Sequence, residues 1–295
     1  MPDGRSPTVR RRRLGIELRR LREAAGLTID QVANELYCST SKISRIETGH
    51  VPASLRDVRD FLTIYEAPAP LREELMQLAR EARQRDWWYH EYGDLPVVPL
   101  IGLQDAATSI RTYQQILIPG LLQIEDYARA VLRAILLDNP EEAERRVELR
   151  MTRQRLLGRT DAPNLWAVLD EAMLHRAIGK PGIMYAQIRH LIEVASAPNI
   201  TLQVLPFSHG EHPALDSGFS IVGFADPLES DIVNLEHITG DLYLKDATSV
   251  KQYTLLFDHL RARALSPNDS AAFLANVANQ LKKGAASGSI ARGMD

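Results

Sequence analysis

The sequence predicts an α+β protein in two unequal parts, an all-α N-terminal bundle followed by a larger mixed α/β domain. Three observations lead there. Up to Tyr65 the apolar residues recur only at helical spacing, whereas beyond Leu103 short β-rich runs alternate with amphipathic helical stretches. Charge is also unevenly divided. Residues 1–64 hold 12 Lys+Arg against 8 Asp+Glu, a net +4, so the remainder carries -7 of the total of -3. A basic segment on an acidic body suggests an anionic partner for the first segment alone.

The length of 295 residues suits two domains. Cys38, the one cysteine, excludes an intramolecular disulfide, and there is no Cys cluster for structural zinc. No apolar stretch reaches the roughly 18 residues of a membrane span, and the Arg-rich start lacks the apolar segment of a signal peptide. A cytoplasmic protein that does not engage a membrane is expected.

The elements follow in order. Leu14, Leu18, Leu21 and Ala25 share one face of a first helix that Gly26 ends. Thr28 can cap a second helix with Val32, Ala33 and Leu36 inward; Ser39 can cap a third with Ile43 and Ile46 inward, ended by Gly49. Ser54 begins a fourth, whose buried face is Leu55, Val58, Phe61, Leu62 and Tyr65. After Pro68 and Pro70, a fifth helical pattern with Leu71, Leu75, Leu78 and Ala82 reads as a connector, and an aromatic, Pro-punctuated stretch from Trp87 to Pro99 closes it. The expected division is a basic arm at 1–13, a DNA-binding bundle at 14–67, a connector at 68–102, a sensing or interaction domain at 103–283 and a disordered tail at 284–295.

In the large domain, strands are expected at Leu165 to Leu169, Thr201 to Leu205, Phe219 to Phe224, Ile232 to Leu235 and Leu242 to Leu244. Helices are expected at Tyr127 to Leu137, Glu141 to Leu157, Ile183 to Ala195, Val250 to Ala264 and Pro267 to Leu281. Ile110 to Ile118 fits either a strand or a helix.

A capped helix, a short turn and a second short helix with polar outward residues is the pattern of a helix-turn-helix, whose second helix enters the DNA major groove. Gly26-Leu27-Thr28, Val32-Ala33, Leu36, Ser39, Ile43-Ser44-Arg45-Ile46-Glu47 and Gly49 resemble the Cro/repressor-type (XRE) DNA-binding domain. That resemblance puts Thr40, Ser41, Ser44 and Arg45 on the outward face of the recognition helix, with Arg45 the strongest single reader through two parallel bonds to guanine. It puts Thr28, Gln31 and Lys42 nearer phosphates, contacts that set register rather than sequence. Ile29 departs from the family pattern, in which a Gln often clamps a phosphate. Arg22 and Glu47 match a pair that in relatives bridges the first and third helices, so they are read as structural. The run Arg10, Arg11, Arg12, Arg13 precedes the expected first helix and is read as an arm on phosphates or in a minor groove. Cys38 is read as a packing residue.

Pro119-Gly120-Leu121-Leu122-Gln123, Tyr127-Ala128, Arg150 to Leu157, Trp166 to Glu171, Leu202 to Pro206, Leu235-Glu236-His237 and Tyr243-Leu244 resemble the large C-terminal domain of antitoxin-like XRE regulators of actinobacteria. The resemblance implies a regulator often encoded beside a small partner protein. Asp170-Glu171 and Glu236-His237 end expected strands, where pockets of α/β sheets form. Yet no Gly-rich phosphate loop, nucleophile elbow or HExxH is present, so no catalytic residue is assigned and no enzyme is expected. His209 and His212 are spaced for a metal, but Gly210 and Pro213 argue for a solvent loop, and no metal or cofactor is expected. Trp87, Trp88, Tyr89 and Tyr92 read as packing at the domain junction. The Arg- and Glu-rich helix 141–157 reads as a solvated face.

The expectation is a sequence-specific DNA-binding transcriptional regulator that binds double-stranded DNA as a homodimer, its large domain taking a partner protein or small-molecule effector. The alternative is an antitoxin-like interaction protein that sequesters a small partner and binds DNA for autoregulation.

Overall fold

The structure is a computed structural model that describes residues 7–49, 51–83, 92–93, 95, 98–180, 182–225, 230–237 and 240–291. The chain divides into two compact units, residues 1–106 with 224–229, and residues 107–223 with 230–295. The fold is α+β.

The first unit is a helical bundle built from α1 (Pro7–Ala24), α2 (Ile29–Glu35), α3 (Thr40–Glu47), α4 (Leu55–Ile64) and α5 (Ala69–Ala82), followed by α6 (Val98–Asp105). One apolar cluster holds the first five together: Leu14 and Leu18 of α1, Val32 of α2, Ile43 and Ile46 of α3, Phe61 and Leu62 of α4, and Leu75 and Ala79 of α5. The helix ends are set locally. Thr28 with Gln31 and Ser54 with Asp57 form reciprocal capping boxes, and Ser39 caps α3 by accepting the Lys42 N–H. Gly26 and Gly49 stop α1 and α3 at φ 70° and 69°, backbone that side chains disfavour.

Two expectations need correction here. The basic run is not an arm ahead of the first helix: α1 begins at Pro7, because Pro is accepted in a first turn and four consecutive arginines are good helix formers. Arg10 and Arg13 then lie along α1 and pair with Glu81 and Glu74 of α5 at 3.3 and 3.5 Å. Nor is α5 a connector. Leu75, Ala79 and Ala82 are buried, so the bundle reaches beyond residue 67. Of the junction aromatics, Trp87, Trp88 and Tyr89 lie outside the described residues, while Tyr92 is buried.

The second unit is built on a six-stranded sheet of order β3-β2-β1-β4-β5-β6, with β1 Ser109–Gln114, β2 Asn164–Asp170, β3 Ile200–Leu205, β4 Phe219–Gly223, β5 Ile232–Leu235 and β6 Leu242–Leu244. The first three are parallel and the last three antiparallel. The undecided stretch at 110–118 thus starts as a strand near the middle of the sheet, with Ile110 and Tyr113 buried, and leaves it after Gln114. The crossover from β1 to β2 carries α7 (Glu125–Ile135) and α8 (Pro140–Gln154); that from β2 to β3 carries the short α9 (Ala172–His175) and α10 (Ile183–Val194). The chain ends with α11 (Ala247–Arg263) and α12 (Pro267–Ala291). The tail expected to be disordered from 284 continues α12 to Ala291, where alanines outweigh two glycines.

Phe257 and Leu260 of α11 pack on one sheet face against Tyr113, Val168, Phe219, Ile221 and Val233. Edge strand β3 is covered. Its Val204 N–H is accepted by Ser270 Oγ at 2.9 Å and its Val204 carbonyl accepts the Leu265 N–H at 2.9 Å.

Glutamines hold the Pro119–Gln123 turn. Buried Gln187 of α10 accepts the Ile124 N–H and donates to the Leu122 carbonyl, both at 2.8 Å. Gln154 of α8 donates to the Gly120 and Gln123 carbonyls, and Gln123 donates to the Ile118 carbonyl while accepting from Arg150 at 2.8 Å. The turn's backbone polar groups, removed from water, thereby find partners.

Candidate nucleic-acid interface

The helix pair α2 and α3 stands on the bundle core through Val32, Ala33, Ile43 and Ile46. What aims α3 is a buried ion pair. Arg22 of α1 donates to both carboxylate oxygens of Glu47, at 2.7 and 3.0 Å, and its remaining arm donates to the Leu27 carbonyl at 2.9 Å. Both residues are buried, and the hydrogen bond to Glu47 raises the Arg22 pKa against the opposing effect of burial. The structural role expected for this pair is the role it has. Gly15 sets the approach of the same two helices, because a Cβ there would lie 2.5 Å from the Glu47 carbonyl oxygen and 2.6 Å from that of Ile46.

With its inner face fixed in this way, α3 turns Thr40, Ser41, Ser44 and Arg45 to solvent. The Arg45 side chain makes no hydrogen bond or ion pair among the described residues, so its guanidinium donors are unused. The expected phosphate contacts are differently occupied. Thr28 and Gln31 are exposed but spend part of their capacity in the α2 capping box, Thr28 Oγ1 accepting the Gln31 N–H and Gln31 Oε1 accepting the Thr28 N–H. Lys42 is exposed and pairs with Asp57 of α4 at 2.6 Å. Ile29 packs against the core, as does Cys38, so Ile29 faces the wrong way to replace a phosphate-clamping side chain.

Tyr37 is a feature that sequence reasoning passed over. It lies in the turn between α2 and α3, 97% exposed, at φ 51°. A bulky residue in left-handed backbone is rare and strained, by about 1–3 kcal/mol. An aromatic residue two positions before the capping serine was the available signal.

In the second unit, Asp170, at the carboxyl end of β2, meets His212 from the loop after β3. The Tyr113 hydroxyl donates to Asp170 at 3.1 Å and lies 3.2 Å from His212 Nε2. Burial, and then the charge of Asp170, pushes the Tyr113 pKa up. Glu171 bonds His175 and the Phe207 N–H instead, and His209 is exposed, apart from this cluster. Among the described residues no group of three or more His, Cys, Asp or Glu could hold a metal. Helix α8 is not a solvated face throughout: Arg150 and Arg153 are desolvated, and burial, with Arg153 next, pushes the Arg150 pKa down to about 10. Glu236 faces this pair and burial raises its pKa.

Residues 98–276, well over half of the chain, match the family described as domain of unknown function DUF5753. The chain belongs to that family. Residues 13–75, ahead of the DUF5753 region, match a helix-turn-helix domain, so the N-terminal unit is the DNA-binding module of a regulatory protein. No curated protein and no solved structure gives a match. Among the described residues no helix is long and apolar enough to cross a membrane.

Two substitutions test how α3 is held. Arg22→Ala strands the buried Glu47 carboxylate and is expected to cost about 3–5 kcal/mol, most of it recovered in an apolar double replacement such as Arg22→Met with Glu47→Leu. Denaturant unfolding followed by amide exchange in α1 and α3 measures both; an unchanged midpoint for Arg22→Ala would refute the anchor. Gly15→Ala stabilises an ordinary helix, by roughly 0.5–1 kcal/mol. Here the same assay should read a loss of about 1–3 kcal/mol, because the new methyl meets α3 backbone.

Proposed function

We propose that the chain is a sequence-specific transcriptional regulator of the Cro/repressor type, acting on double-stranded DNA in the cytoplasm. One observation supports this above the others. A short capped helix, anchored by a buried ion pair, presents two hydroxyls, a third at Ser44 and the unpaired guanidinium of Arg45 on one exposed face. In the major groove Arg45 reads a guanine, and Thr40, Ser41 and Ser44 reach neighbouring base edges. Thr28 and Gln31 give phosphates the donors left over from the α2 cap, and Lys42 is shared between Asp57 and a phosphate. The Arg10–Arg13 run acts from along α1 rather than as an arm, with Arg10 and Arg13 shared between Glu81 and Glu74 and the phosphates.

Tyr37 joins these contacts in the same proposal. Its exposed ring, kept at a strained turn beside the start of α3, touches the DNA backbone or a thymine methyl. One recognition helix covers few base pairs, so the active species is a two-fold dimer on paired half-sites. The DUF5753 domain is the sensing or assembling half, open to a small effector or to a partner protein encoded nearby.

Two measurements check the DNA contacts. Selection from a randomised duplex pool gives the preferred site, and Arg45→Ala should reduce preference for it over random DNA by about 1–3 kcal/mol while leaving random-sequence affinity unchanged. Equal loss on both kinds of DNA would remove Arg45 as a reader. Tyr37→Gly should raise stability by about 1 kcal/mol through relief of strain and at the same time weaken specific binding several-fold. A variant that is more stable and binds equally well would leave Tyr37 without a role at the interface.

A further inference from the structure

A cavity of about 330 Å³ opens beside the Asp170 cluster, outside the carboxyl ends of the three parallel strands, where ligands of α/β sheets bind. Its mouth is apolar. Ile116, Phe207 and Leu215 line it and are each more than half exposed, three of the eight large apolar side chains most exposed among the described residues. Such a convergence of exposed apolar groups on one concave site is the signature of a surface completed by a ligand.

The wall is built rather than accidental. Phe207 stacks on His175 at 6.0 Å, and Glu171 holds both, accepting the Phe207 N–H at 2.8 Å and lying 3.1 Å from His175 Nε2. In the floor, Asp170 and buried His212 are fixed by Tyr113. The Ala214 N–H donates to His212 Nδ1 at 3.3 Å, so Nε2, 3.2 Å from the Tyr113 oxygen, is the ring nitrogen left to donate there. Tyr113 in turn donates to Asp170, whose other oxygen accepts the Ala172 N–H at 2.9 Å. Asp170 has no Lys or Arg within ion-pair distance among the described residues, only the His212 Nε2 at 3.7 Å, and each of its oxygens retains acceptor capacity.

Arg176 also lines the cavity and forms no ion pair among the described residues. The cavity thus carries a carboxylate with no Lys or Arg partner and a guanidinium with no carboxylate partner among the described residues, which do not pair with each other, between apolar walls. An anion alone would leave Asp170 uncompensated, and a cation alone would leave Arg176 so.

We propose that this cavity binds a free amino acid with a large apolar side chain, its ammonium on Asp170, its carboxylate on Arg176 and its side chain against Phe207, Ile116 and Leu215. The proposal rests on reading the DUF5753 domain as the sensing half, and it names the class of effector. About a dozen heavy atoms suit a cavity at the small end of the usual range.

The test is calorimetry on the full chain with L-phenylalanine, phenethylamine and 3-phenylpropionate as probes. Phenylalanine is expected to bind, and each single-charge analogue to bind at least about tenfold more weakly, the loss that accompanies one charge-assisted contact. Arg176→Gln, at an exposed position, should weaken phenylalanine about tenfold and leave phenethylamine unaffected, and Asp170→Asn should weaken phenylalanine likewise and leave phenylpropionate unaffected. Absence of heat with phenylalanine, leucine and tryptophan alike would overturn the proposal, as would phenethylamine binding as tightly as phenylalanine. Site selection on DNA, run on the same preparation, separates the two questions: a chain that selects DNA but takes up no amino acid loses this inference alone.

Discussion

The buried pair between Arg22 and Glu47 is the constraint on which the exposed face of α3 depends. A helix of eight residues has little stability of its own, and α3 contributes only Ile43 and Ile46 to the apolar core. Hydrophobic contacts at two positions leave a short helix free to rock about its axis. The bidentate guanidinium fixes that rotation, since both Glu47 oxygens must stay in the plane of the Arg22 fork. Gly15 then fixes the distance, and Ser39 and Gly49 fix the two ends. Four local devices, none of them on the exposed face, decide where Arg45 points.

The second unit solves a different problem. Its parallel strands are buried on both faces and need crossovers that bring the chain back over the sheet. The turn from Pro119 to Gln123 is where the first crossover departs, and it is deep enough that its carbonyls and amides meet side chains instead of water. Gln123, Gln154 and Gln187 serve because an amide both donates and accepts, which a carboxylate or a guanidinium cannot. A segment that resembles a family motif in sequence is here a small irregular piece of backbone with its hydrogen bonds met by side chains.

Much of this was legible before any coordinates. Strands β5 and β6 have the expected limits, and β2 to β4 differ by a residue at one or both ends, because short apolar runs bounded by Pro, Gly or Asp leave little freedom. The caps at Thr28, Ser39 and Ser54 were equally readable, since capping is a local event. What failed was whatever depends on distant partners. The arginine run looks like a free arm until Glu74 and Glu81 arrive from α5, and α5 looks like a connector until Leu14 and Leu18 cover it. Likewise Asp170 and His212 were noticed separately, but only the pairing of β1 with β2 and the return of the loop after β3 bring them to the same hydroxyl. Of Tyr37 only its place before the capping serine could be read, because left-handed backbone at a non-glycine residue leaves no mark in composition or periodicity.

The covering of β3 bears on assembly. A sheet whose outer strand offers free amides and carbonyls can be continued by a second copy of the same strand. Here the Val204 amide and carbonyl are already claimed by Ser270 and Leu265 of the same chain, and the opposite edge is the three-residue β6, too short to template a long ladder. Neither edge of the sheet is therefore laid out to be extended by another strand: one has its Val204 polar groups met within the chain and the other is brief, so the β-layer is closed off by its own flanking segments.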